Sequence, residues 1–241
     1  MWTSFLIAMQ FLTVVPVKLQ DEFTDQDVGR SLLFYPLVGL LIGIVLSLLA
    51  WSLNNQPVMV AASLLLVVWV AMTGALHLDG LADSADAWLG GIGNKAKTLN
   101  IMKDPAAGPI AVSAIVSVLL LKFVMLTVLL SQQNWVALIW SVVLARTALP
   151  LLFLTTDYVR PQGLGSLLKH HQSASDTRKM LLIIAVIGLF SIGLLALLFT
   201  LVVFLLLRYL MERRLNGFTG DTAGAMVELL ETALLIFFVL F

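Results

Sequence analysis

A helix needs about 20 consecutive apolar residues to cross the hydrocarbon core of a bilayer, and this chain supplies that length repeatedly. Leu32–Ser52, Val58–Leu76, Pro109–Leu130 and Trp135–Leu154 each qualify, Met180–Leu210 is a longer block, and Ala223–Phe241 adds another run. The rest of the composition agrees. Hydrophobic residues make up 60% of the 241, charged residues only 12%, and the mean hydropathy is +1.02, too little charge to cover the surface of a soluble domain. The expected fold class is therefore all-α, a polytopic transmembrane bundle of about six to seven hydrophobic helices, with the lipid bilayer as its principal surroundings. No internal repeat, heptad pattern or low-complexity linker divides the chain, so residues 1–241 read as one domain.

The connections between runs fall into two kinds. Leu53–Pro57 and Ser131–Asn134 are short and uncharged, whereas Lys18–Arg30, Asp79–Asp104, Thr155–Lys179 and Arg208–Asp221 hold nearly every Lys and Arg. The positive-inside rule assigns the charged set to the cytoplasm and the short turns to the outside. A single crossing by Met180–Leu210 would carry Arg213 and Arg214 outward, so a hairpin or re-entrant path is preferred there, with Gly188 and Gly193 as its marks. Met1–Val17 is apolar but lacks a basic leader and a small-residue cleavage site, which makes it a retained, interfacial or half-inserted helix. Acidic and basic residues balance at 14 each, which gives no reason to expect a nucleic-acid partner, and the absence of cysteine excludes disulfides, thiolate chemistry and Cys-ligated metals. Oligomeric state is not legible, and a homo-oligomer stays open.

The polar residues gather in two segments at the ends of runs. The first is His77-Leu78-Asp79-Gly80-Leu81-Ala82-Asp83-Ser84-Ala85-Asp86. In a helix, Asp79, Asp83 and Asp86 share a stripe roughly 60° wide at about 100° per residue. Three carboxylates on one stripe repel one another unless a cation compensates, and their hard oxygens suit Mg2+ or Mn2+ rather than Zn2+. A solvated acidic loop is the alternative, but its spacers would be polar, whereas here they are Leu, Ala and Gly. His77 points away from the stripe unless the backbone breaks, for which Gly80 is the candidate.

The second segment, Asn216-Gly217-Phe218-Thr219-Gly220-Asp221-Thr222-Ala223-Gly224-Ala225, is followed by Glu228. Its glycines permit a tight turn and close backbone approach to an anion. Thr219 or Asp221 can cap the next helix, whose N-terminus favours phosphate; simple capping with small-residue packing accounts for the same residues equally well. Lys103 and Asp104 stand just before the run at Pro109, as phosphate and metal contacts or as an interfacial pair. Arg146 lies inside a hydrophobic run, where an arginine faces a cavity or an ionic partner rather than lipid. It could clamp a diphosphate or pair with one of the acids.

Together these segments resemble the cobalamin synthase (adenosylcobinamide-GDP ribazoletransferase) family. Gly74 through Asp86 looks like that family's signature and Phe218 through Ala225 like its second motif; Gln10-Phe11-Leu12-Thr13 with Pro16, Tyr35-Pro36-Leu37-Val38-Gly39 and Ile101-Met102-Lys103-Asp104 agree in kind and order. The chain departs from the pattern at Pro105, Ala106 and Ala111, and at Ala87 and Asn216, of which the last two remove no carboxylate. The resemblance implies a bacterial cytoplasmic (inner) membrane enzyme of cobalamin biosynthesis, multi-pass, its active site facing the cytoplasm. It implies Mg2+-dependent transfer of the adenosylcobinamide phosphate moiety of adenosylcobinamide-GDP to α-ribazole or α-ribazole 5′-phosphate, with release of GMP.

Phosphoryl transfer asks a protein mainly for positioning and charge neutralisation. Asp79, Asp83, Asp86 and Asp221 are the expected metal ligands, and His77, Asp79 and Asp83 the catalytic candidates. Lys103, Asp104, Arg146, Thr219 and Gly220 are the expected substrate contacts, in a cavity roofed by Asp79–Asp104. The nearest rivals fit less well. A CDP-alcohol phosphotransferase would follow Asp79-Gly80 with a different spacing, and an aromatic prenyltransferase would carry an Asn-Asp-x-x-Asp pair that is absent. A cation transporter would place its acids near mid-span rather than at run ends.

Overall fold

The computed structural model describes residues 1–18 and 23–241. Residues 19–22, part of the charged connection Lys18–Arg30, lie outside the described residues. Among the described residues the structure is helical, and the only extended pairing is an isolated parallel bridge between Tyr158 and Phe218.

Helix α1 (Trp2–Leu12) is followed by α2 (Asp25–Ser31), which runs through one 3-10 turn into α3 (Tyr35–Ser52). Next come α4 (Val58–Thr73), α5 (Leu76–Gly90), the short α6 (Lys95–Ile101), α7 (Pro109–Ser131) and α8 (Trp135–Thr155). The chain closes with α9 (Leu164–His171), α10 (Ala174–Ser191), α11 (Gly193–Leu215) and α12 (Gly220–Leu240). Five helical stretches are long and apolar enough to cross a membrane, and α4 with α5 make a sixth if that bent pair is counted as one span. The all-α, multi-pass expectation holds.

Burial sorts the long helices into centre and rim. The most apolar stretch of α8 is 83% buried inside the protein and that of α12 67%, against 17% for α11 and 22% for α7. α8 and α12 are thus the central posts, while much of α7 and α11 faces outward, where Leu or Val costs nothing against lipid. Glycines let the posts approach their neighbours, as small residues do where no hydrophobic drive separates helices from lipid. A Cβ on Gly43 of α3 would lie 2.9 Å from Ile139 Cα of α8, and one on Gly39 3.0 Å from the Val142 carbonyl oxygen.

The two uncharged turns meet at one end, where Gln133 Nε2 donates to Asn54 Oδ1 at 3.3 Å. The α10–α11 turn is at that same end, Ser191 and Ile192 sharing a cavity with Gln132 and Asn134, and of the hairpin or re-entrant path expected from the sequence the two helices form the hairpin. α10 leaves the charged end beside Pro150, whose carbonyl accepts from Gln172 Nε2 at 2.9 Å, and reaches Trp140 at Gly188. Gly193 then takes a φ of +80°. α11 returns past Phe237, on which Phe199 stacks at 4.8 Å, and brings Arg208, Arg213 and Arg214 back to the charged end. The first two turns of α10 carry too much charge to count as apolar span. The expected short N-terminal helix is α1, which at about 1.5 Å per residue is too short to cross. It is held at the charged end by Ser4 Oγ donating to Asp27 Oδ1 at 3.2 Å.

The decisive local feature is the break between α4 and α5, a bend of 86°. Gly74 and Ala75 both adopt left-handed φ, 60° and 56°. Their amides close the end of α4, Ala75 N–H to the Val70 carbonyl at 3.1 Å and Gly74 N–H to that of Ala71 at 3.2 Å, a Schellman termination. An alanine in this conformation costs about 1–2 kcal/mol. The break falls here and not at Gly80; α5 runs unbroken through all its acids.

Candidate active site

The two polar segments meet because two glycines let α5 and α12 touch backbone to backbone. A Cβ on Gly80 would lie 2.6 Å from the carbonyl oxygen of Asp221, and one on Gly224 would lie 3.4 Å from His77 Cα and 3.5 Å from Gly80 Cα. The start of α12 is fixed by a capping box: Thr219 Oγ1 accepts from Thr222 N–H at 3.2 Å, and Thr219 N–H donates to Thr222 Oγ1 at 2.9 Å. Thr219 is fully buried and caps the helix. Gly220, the first residue of α12, borders the cavity beside the contact.

That cavity, about 230 Å³, has His77, Asp79, Gly80 and Asp221 in one part of its wall. His77 is 3% exposed, and its Nδ1 has no hydrogen-bond partner among the described residues. It joins Asp79 at the cavity without any break in α5, because α12 passes along the helix face that carries His77, Gly80 and Ser84.

The four aspartates divide their work. Asp79 is exposed and Asp83 half-buried, and neither has a hydrogen-bond or ion-pair partner among the described residues. Asp83 lies within electrostatic reach of Asp79, Asp221, Arg160 and Asp86. Asp86 is engaged elsewhere: its Oδ2 accepts from Gly108 N–H at 2.5 Å and its Oδ1 from Ala111 N–H at 2.9 Å, so it caps α7. Asp221 pairs with Arg160, Nη2 to Oδ2 at 2.6 Å. Among the described residues no three Asp, Glu or His side chains converge closely enough to enclose a metal ion. The expected four-carboxylate cluster is therefore not gathered, Asp86 being drawn off by the α7 N-terminus. The remaining donors still match Mg2+, which is commonly held by one or two carboxylates with phosphate and water completing its shell.

Arg160 is the site residue that sequence reading missed. It sits in the connection Thr155–Lys179 without a motif around it. The Tyr158–Phe218 bridge delivers it: Val159 N–H donates to the Phe218 carbonyl and Phe218 N–H to that of Asp157, both at 2.9 Å. Phe218, fully buried, packs edge-on against Phe153 at 4.8 Å and Tyr158 at 5.3 Å. Burial pushes the Tyr158 phenol above its ordinary range, opposed by Arg160 and aided by Asp221, so it stays protonated at neutral pH.

The structure places Arg146 in the core instead of at the cavity. It is 0% exposed and paired with Glu231. Lys122 contacts the same Glu231 and also Glu228, at 2.6 Å, with its ammonium 4.7 Å from the centre of the Trp69 ring. Of the two options open for Arg146 in the sequence, structural pairing is the one observed, because α12 offers two glutamates at the depth where α7 and α8 carry cations. Lys103 is exposed and outside the cavity wall, and Asp104 caps its own loop through Ala106 N–H at 3.0 Å. Their neighbour Met102 nevertheless reaches the second segment, its Sδ 3.8 Å from Thr219 Oγ1. α9 lines the cavity through Leu164, Gly165 and Leu168, whereas of the expected Asp79–Asp104 roof only Asp79 and Gly80 border it.

Fold and site together define a multi-pass helical protein with a carboxylate-lined cavity at the charged end of its bundle, the arrangement of a membrane-embedded transferase. The chain belongs to the cobalamin-5-phosphate synthase family, whose model matches residues 4–239. It is 52% identical over 238 residues to the adenosylcobinamide-GDP ribazoletransferase of Pseudomonas fluorescens (strain Pf0-1), covering 98% of both chains. It is 53% identical over 235 residues to that of Pseudomonas aeruginosa PAO1 (97% and 96% covered), and 54% over 234 residues to that of Stutzerimonas stutzeri (96% and 95%). No solved structure matches the chain.

Proposed function

We propose that this cavity joins the two halves of cobalamin, moving the adenosylcobinamide phosphate moiety from adenosylcobinamide-GDP onto α-ribazole or α-ribazole 5′-phosphate. The ribose 3′-hydroxyl oxygen forms a bond to the phosphorus that carries cobinamide. The bond from that phosphorus to the GMP oxygen breaks, and GMP leaves with the electron pair. The hydroxyl proton passes to His77 or Asp79, which border the cavity, or to Asp83, one helical turn beyond Asp79; His77 Nδ1 and both carboxylates have no partner among the described residues. The observation that carries this reading is the backbone contact of Gly80 with Asp221, which joins the two acidic segments beside a cavity.

Asp79 and Asp83, the two site carboxylates without a partner among the described residues, would hold Mg2+ with phosphate oxygens and water completing its shell; when bound the ion neutralises charge on the diphosphate. Arg160 is placed to share Asp221 with a phosphate oxygen, its fork geometry suiting either anion. Tyr158 offers a phenolic donor close to the same mouth. The basic connections support a cytoplasmic orientation of this end, the side on which water-soluble nucleotide substrates would reach it.

The test is an assay on purified membranes with adenosylcobinamide-GDP, α-ribazole 5′-phosphate and Mg2+, following GMP and corrinoid product, with an EDTA control and Asp83→Asn. Metal-dependent product that collapses in folded Asp83→Asn supports the reaction and the site. No product from folded wild type would discard the reaction.

A further inference from the structure

The carboxylates occupy only one side of the cavity. Its other walls are mainly apolar: Phe11, Leu149, Phe153 and Leu168 from α1, α8 and α9, with Tyr35 and Tyr158 adding aromatic rings and one hydroxyl each. A second cavity of about 450 Å³ shares Phe11, Tyr35, Leu164 and Leu168 with the first, and adds Gln10 and Ser31. Two near-parallel ring pairs line this region, Phe11 with Tyr35 (6.2 Å, 18°) and Phe153 with Tyr158 (6.3 Å, 16°). The basic end of α9 is moored by Lys169, whose Nζ donates to the carbonyls of Phe153 at 2.7 Å and Thr156 at 2.8 Å.

We propose that this aromatic cleft is the subsite for the base of the acceptor nucleoside. The inference rests on the transferase reading above and extends it. The cleft opens onto Asp79 and Asp221, so a ligand held in it presents its next atoms to the acids. Its volume suits a bicyclic ring and excludes a corrin macrocycle. A guanine edge, with donors and acceptors on every side, asks for more partners than the Tyr35 and Tyr158 hydroxyls, Gln10 and Ser31 supply among otherwise apolar walls. The dimethylbenzimidazole of ribazole has a flat, largely apolar face and one unsubstituted ring nitrogen. Parallel rings favour such a face, and its ribose then projects toward the carboxylates, where the 3′-hydroxyl is needed.

Phe11 and Leu164 are 37% and 53% exposed, so substitutions there remove little buried packing, and thermal unfolding of each variant in detergent checks that it is folded. Steady-state kinetics of Phe11→Ala and Leu164→Glu should raise the KM for α-ribazole 5′-phosphate about tenfold or more, the scale of a lost apolar contact, and leave the KM for adenosylcobinamide-GDP within about twofold. A series of ribosides with imidazole, benzimidazole and dimethylbenzimidazole bases should rise in kcat/KM for wild type and flatten in Phe11→Ala. Turnover by wild type with both variants unchanged in acceptor KM, the result expected if a lipid acyl chain fills the cleft, overturns the subsite and leaves the reaction standing. A rise confined to the donor KM overturns it as well. No turnover by folded wild type removes the reaction and the subsite together, so the two failures are distinguishable.

Discussion

Gly80 stands directly against the backbone of Asp221: a Cβ on Gly80 would come within 2.6 Å of the Asp221 carbonyl oxygen. This contact, made by a residue with no side chain, sets how closely the two acidic segments approach. Gly80→Ala should push α5 from α12, lower activity at least tenfold and cost about 1–3 kcal/mol of stability, the usual range for overpacking. Thermal unfolding in detergent beside the transferase assay checks both effects. An alanine variant with wild-type rate and stability would show that the contact does not organise the site.

The aspartates of α5 should separate by phenotype. Asp79→Asn and Asp83→Asn remove carboxylates with no structural partner, and are expected to lose at least about a hundredfold in kcat with little change in unfolding temperature. Asp86→Asn loses a charged cap on α7, so its expected signature is a destabilisation of about 1 kcal/mol. Measuring both quantities on all three variants tests the division of labour; equal stability losses in all three would refute it.

Arg160 should behave as a substrate contact. Arg160→Ala is expected to raise the KM for adenosylcobinamide-GDP by roughly ten- to a hundredfold, with Arg160→Lys recovering only part, because a point charge cannot reproduce a bidentate fork. The same variants should leave the acceptor KM near its wild-type value.

The buried quartet predicts stability effects without specificity effects. Glu231→Gln leaves Arg146 and part of Lys122 without a compensating charge in the protein interior, and a broken buried pair costs about 3–5 kcal/mol. Replacing Arg146 and Glu231 together by Met and Leu should restore much of that loss. Chemical denaturation of the single and double variants decides the matter, and substrate KM values should not move in the double variant, since neither residue lines the cavity.

The chain has no cysteine, so single-cysteine labelling in cells reports topology directly. Asn54→Cys and Gln133→Cys, which share one end, should react with an impermeant maleimide added outside, and Asn94→Cys only after permeabilisation. Labelling of Asn94→Cys from outside would invert the proposed orientation.

The sequence alone determined the class of fold, the helical runs and the two segments that carry the acids, and it favoured a hairpin or re-entrant path after α9. Those features follow from run length, periodicity and capping chemistry, all local in the chain. It also narrowed the cap of α12 to Thr219 or Asp221, since a short polar side chain before an apolar run is a local signal; the structure selects Thr219. The tertiary structure decided the partners. Arg160 reaches Asp221 across 61 residues and Lys122 reaches Glu228 across 106, and no local pattern encodes either distance. Asp86 and Asp83 share one stripe on a helical wheel, yet one meets the amides of α7 and the other does not, because only packing sets where the α7 N-terminus lies in space. His77 shows the same limit: its side of the helix was readable, but not that α12 would carry the second acidic segment along that side.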